Sequence, residues 1–181
     1  MQVKISTIIA VAFFLLLDIQ FSSAVPQENT CSVPPDLQRE IANTHPGAKI
    51  VSALDLDEDD RKFFEADHKN GCPGVVKVDF YGDGKPALAL VLIVKDGTKS
   101  QTELVLAHLV GKGWKLRRLD TGGPGQYAPV VWSQAPGTYQ DVHGNKTLRA
   151  TRPVIVFCKY EAWSILYAWT EKGLSKIWIA D

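Results

Sequence analysis

Residues 75–94 read VVKVDFYGDGKPALALVLIV. Two β-branched and apolar runs, Val75–Phe80 and Ala87–Val94, flank Gly82-Asp83-Gly84-Lys85-Pro86, whose glycines and proline punctuate a turn. That pattern predicts a hairpin. Along Ala87–Val94 both alternating positions are apolar, which suits a central strand covered on its two faces. Working outward, Glu103–Leu109 and Trp114–Leu119 flank Val110-Gly111-Lys112-Gly113 and predict a second hairpin. Pro153–Cys158, Glu161–Thr170 and Leu174–Ala180 predict a closing meander that turns at Glu171-Lys172-Gly173. Upstream the period changes. Leu37, Ile41 and Ala42 recur at helical spacing between Pro34-Pro35 and His45-Pro46-Gly47. Asp57 then N-caps a second helix whose first turn carries Glu58, Asp59 and Asp60, carboxylates suited to the positive end of a helix dipole. The expected fold class is α+β: two N-terminal helices packed on a mainly antiparallel sheet of six or seven strands, built from hairpins and a meander.

The chain has 181 residues, enough for one domain of ordinary size. Twenty basic against twenty acidic side chains leave no bulk field to attract nucleic acid or an anionic membrane. Nucleic acid is not expected as a partner. With 45% apolar residues the chain has the material for a packed core. Met1–Lys4 carries one positive charge, Ile5–Leu17 is an apolar run broken only by Ser6 and Thr7, and Ser22-Ser23-Ala24 offers small residues before a cleavage point. Residues 1–24 therefore read as a signal peptide, too short and too early interrupted by Asp18 for a membrane anchor. No membrane span is expected after its removal. The expected organisation is a signal peptide at 1–24, a flexible segment at 25–33 and a single domain at 34–181, secreted or periplasmic.

Export makes cysteines candidates for disulfides, and three leave one over. Cys72 opens a strand-like run and Cys158 closes another, so the expected bridge is Cys72–Cys158, which leaves Cys31 in the N-terminal segment either free or paired outside the chain. A metal site on the cysteines has little support, because no CxxC or CxxH pair occurs and His68 to Cys72 is the only suggestive spacing.

Val78–Ala89, VDFYGDGKPALA, resembles the calcium loop of FG-GAP and VCBS repeat proteins, in which alternate positions aim oxygens at a hard cation. The resemblance implies ligands at Asp79 and Asp83. Tyr81 and Ala87 stand where the pattern has further oxygen ligands, so the stretch reads as a loop of that shape without its metal, Gly82 and Gly84 serving the turn. No second copy occurs, which excludes a propeller. Together with Cys72-Pro73-Gly74 and the Trp-rich meander, the layout also resembles uncharacterised secreted bacterial proteins. That resemblance brings no activity.

No G-x-S-x-G, H-E-x-x-H or phosphate-cradling glycine motif occurs, and no cofactor is expected. Thr121–Thr151 reads as a long Gly/Pro-rich excursion with a short strand at Val130-Val131-Trp132. Within it, Gly125–Asn145 presents Tyr127, Trp132 and Tyr139, candidate contact residues for a protein or small ligand. Asp141 and His143 are the reserve pair for a small hydrolase, since His143 alone among the histidines has a carboxylate close by in a loop setting. The leading expectation is a non-enzymatic binding or interaction domain. Hydrolysis at 141–143 and weak calcium binding at 79–87 are its alternatives.

Overall fold

The computed structural model describes residues 31–124 and 127–181. Residues 1–24, expected to be a signal peptide, and residues 25–30 lie outside them. In chain order come α1 (Pro35–Thr44), β1 (Lys49–Ile50), a 3-10 turn at Ala53–Asp55, α2 (Glu58–Asp67), β2 (Val75–Val78), β3 (Ala87–Asp96), β4 (Lys99–Val110) and β5 (Gly113–Pro124). Then follow β6 (Val130–Gln134), β7 (Gly137–Gln140), β8 (Thr147–Ala150), β9 (Val154–Lys159), β10 (Trp163–Thr170) and β11 (Gly173–Ala180). Every strand pairing is antiparallel.

The first sheet runs β1-β3-β4-β5, with β2 also on β3; the second runs β11-β10-β9-β6; β7 and β8 form a two-stranded ribbon. The α+β expectation is thereby overturned. Two ten-residue helices stand against eleven strands among the described residues, so the protein is mainly β, and there is no single sheet of six or seven strands under two helices. The difference lies in 121–151, expected as an excursion with one short strand at Val130-Val131-Trp132: it extends β5 to Pro124 and supplies β7 and β8 besides the expected strand, β6. Strands of four or five residues among glycines and prolines carry too little alternation to stand out, and they persist because neighbours complete their ladders.

Strand β3 is covered on both faces, as its unbroken apolar run requires. Ala87, Ala89 and Val91 point into the core shared with Val131, Ile155, Phe157 and Ile165 of the second sheet. Leu90 and Leu92 join Val105, Ala107 and the buried stripe Leu37/Ile41 of α1. The layers are therefore α1, first sheet, second sheet. Burying a side chain such as Leu37 stabilises by about 1.5–3 kcal/mol, which secures a helix too short to persist alone. Bulky Trp163, Ile165, Tyr167 and Trp169 on β10 fill the space between the sheets: the Trp169 ring meets Phe80 and Tyr81, and the Tyr167 hydroxyl donates to Asp120 on β5. The 82–86 turn keeps Gly82 and Gly84 at positive φ, 67° and 73°. At Gly82 a Cβ would also strike the Arg152 side chain, 2.4 Å from its Nε.

The Cys72–Cys158 expectation is also corrected. Cys72 bonds Cys31, 41 residues away, and Cys158 is a buried free thiol. Layering explains the choice. Cys31 and Cys72 lie in the cluster beneath α1, whereas Cys158 sits on β9 in the core of the second sheet. The expectation of a flexible segment through residue 33 changes accordingly, since Cys31 is cross-linked and Val33 is buried with α1. No described helix is long and apolar enough to cross a membrane.

Candidate functional site

Helix α2 begins with Asp57, whose carboxylate accepts the Asp60 N–H at 2.7 Å, capping a donor that would otherwise be orphaned. Its Phe64 is buried, and the adjacent Phe63, about a hundred degrees round the helix, is 42% exposed. The acidic first turn does more than cap. Lys159, at the end of β9, pairs with Asp57 at 2.7 Å and with Asp60, fastening the helix start to the second sheet. Burial pushes the Asp60 carboxyl up from its ordinary value, and the Lys159 ammonium holds Asp57 down.

This clamp sets α2 beside β6 and β9 and brings rings together into a ledge. Phe63 lies 5.6 Å from Tyr160, Tyr160 stacks 6.3 Å from Trp132 with planes 15° apart, and Trp132 lies 4.8 Å from His68. His68 in turn packs 5.0 Å from Phe64. Tyr127, 45% exposed, places its ring 5.6 Å from the Lys159 ammonium. Burial lowers the His68 imidazole and raises the Tyr160 phenol, whose buried hydroxyl has no hydrogen-bond partner among the described residues. Beside the ledge an open depression of about 470 Å³ is lined by Phe64, His68, Arg61 and Lys69, among others. Cys158 lies behind it with its thiol pushed up by burial, the condition of an inert rather than a nucleophilic cysteine. The ledge presents ring faces and edges beside a cation neutralised by Asp57 and Asp60.

The expected contact residues divide. Tyr127 and Trp132 belong to the ledge. Tyr139 sits on the β7–β8 ribbon, where its hydroxyl donates to the Ala135 carbonyl, and no ring contact among the described residues joins it to Trp132. Residues 125 and 126 of the expected loop lie outside the described residues. Asp141 closes the β7–β8 turn, accepting the Lys146 N–H at 2.9 Å, while His143 faces Asp181 at 3.5 Å. The two are not brought together as a pair. Asp83 accepts the Lys85 N–H with one oxygen and places the other 3.4 Å from His108. Asp79 has a buried oxygen with no hydrogen-bond partner, and no group of three or more metal-ligating side chains occurs among the described residues.

Sequence reasoning missed Phe63, His68, Lys159 and Tyr160, which come from segments remote from the 121–151 stretch. One signal was available: of the adjacent pair Phe63-Phe64 on an amphipathic helix, a single core face can take only one. The chain matches no family model, no curated protein and no solved structure.

Proposed function

We propose that the protein is a secreted or periplasmic binding domain whose contact surface is the ledge of Phe63, Tyr160, Trp132, His68 and Tyr127. The observation that carries this reading is the ring series running from α2 through Tyr160, just after β9, to β6, with Phe63 and Tyr127 left exposed. Rigid aromatic side chains supply large contact area at low entropic cost and dominate the energetics of interfaces. The leader-like residues 1–24 and the Cys31–Cys72 bridge support an oxidising compartment.

Crosslinking of residues 25–181 in the native secretome or envelope, read by mass spectrometry, tests the reading. A partner captured by the wild-type chain and lost from both Phe63→Ala and Trp132→Ala is expected. Capture that is the same for all three chains would refute the ledge as the binding surface.

A further inference from the structure

At the far end of α1 the fold assembles a constellation that belongs to no part of the ledge. His45, the C-cap of α1, places Nε2 3.4 Å from the Glu103 carboxylate on β4, and Nδ1 2.9 Å from the Thr44 hydroxyl. Glu103 is 5% exposed, and its other oxygen accepts Arg118 at 3.0 Å. A carboxylate at Nε2 requires a proton there. In neutral imidazole the lone pair then falls on Nδ1, facing the Thr44 oxygen. The single hydroxyl proton has two acceptors, the Glu40 carbonyl at 2.8 Å and His45 Nδ1, and rotation about the Cβ–Oγ bond moves it from one to the other. Hydroxyl, imidazole and buried carboxylate stand in the order of nucleophile, base and orienting group. An open pocket of about 260 Å³ is lined by Thr44, His45 and Glu103, and by Lys95 and Gln101, whose side chains carry an ammonium and an amide N–H of the kind a developing oxyanion needs.

We propose that this pocket is a catalytic site for acyl transfer from small carboxylic esters, an activity additional to binding at the ledge. Thr44 Oγ attacks the ester carbonyl carbon as His45 Nδ1 takes the hydroxyl proton. The bond from the acyl carbon to the departing oxygen breaks, and that oxygen receives the proton from His45. Water, deprotonated by the same nitrogen, then cleaves the Thr44 ester, releasing the carboxylic acid and restoring the hydroxyl. Glu103 and Arg118 are positioning residues: they act through the orientation and tautomer of His45.

The test uses residues 25–181 with p-nitrophenyl acetate. Expected are saturable release of nitrophenol and an acetyl group on the peptide that contains Thr44 in quenched samples. Thr44→Val, an exposed substitution, removes the adduct, and His45→Gln slows turnover at least about 100-fold. Glu103→Gln changes the pH dependence of the rate as well as its size, and Lys172→Ala, on the exposed turn between β10 and β11, leaves turnover unchanged. Hydrolysis no faster than buffer, absence of the Thr44 adduct, or equal rates in wild type, Thr44→Val and His45→Gln would each overturn the proposal. If His45 only caps α1, His45→Gln lowers the melting temperature while wild type shows no turnover, which overturns it too.

Discussion

Lys159 on β9 is paired with Asp60 on α2 across 99 residues of sequence, and Asp60 is almost wholly buried. Removing the ammonium leaves a carboxylate desolvated and unmatched. Lys159→Met is expected to destabilise by about 2–3 kcal/mol, somewhat under the 3–5 kcal/mol typical of a fully buried pair, because the Lys159 side chain keeps partial exposure. Urea unfolding measures it. Lys159→Met with Asp60→Asn should recover part of the loss, and a double variant worse than the single would contradict the pairing.

Asp120 joins the sheets, accepting the Tyr167 hydroxyl and the Lys176 ammonium. Burial alone would raise its carboxyl, but these two donors and the Thr121 N–H together hold it below its ordinary value. A carboxyl depressed in the folded state contributes stability that is present above its unfolded pKa of about 3.9 and lost as pH falls through the folded value. Melting temperature followed downward from pH 5 should therefore fall less steeply in Asp120→Asn than in wild type. Identical slopes would count against the linkage.

His68 lies between the Phe64 and Trp132 rings, and burial lowers its imidazole. Its contribution to stability is complete above the unfolded value of about 6.5 and is lost as pH falls toward the lower folded value. Protonation puts a cation beside the Trp132 indole. Tryptophan fluorescence is expected to drop below pH 6.5 in wild type and to lose that step in both His68→Gln and Trp132→Phe.

The Cys31–Cys72 bridge closes a loop of 41 residues, for which chain entropy gives about 4 kcal/mol of stabilisation. Non-reduced peptide mapping should find Cys31 joined to Cys72. Cys158 should react with a thiol reagent only after unfolding. A bridge to Cys158, or its rapid labelling in the native protein, would contradict the layering of the fold.

At the 79–87 loop both Asp83 oxygens are engaged, one by the Lys85 N–H and one facing His108. Excess calcium is expected to leave the melting temperature of wild type and Asp83→Ala unchanged relative to magnesium. A calcium-specific rise that Asp83→Ala removes would establish a metal site there.

Much of the local structure could be read in the chain. The unbroken apolar run Ala87–Val94 announced a strand covered on both faces, and Gly82 and Gly84 marked the turn before it. Pro34-Pro35, Asp57 and their spaced apolar residues placed both helices, because capping and periodicity act over a few neighbouring residues. The ribbon β7–β8 was illegible for the opposite reason: Tyr139 and Leu148 become strand residues only by pairing with each other.

What the sequence determined alone was therefore the kind of element each strong segment forms, together with the balance of charge and the apolar content of the core. Tertiary structure decided which elements meet. Cys72 took Cys31 because both lie beneath α1, Trp132 found Tyr160 because β6 pairs with β9 and found His68 because Lys159 fastens α2 to the second sheet, and His45 met Glu103 because α1 lies on the first sheet. Backbone propensity and capping are settled within a turn or two of chain. Partner choice depends on which faces are buried together, a property of the packed whole.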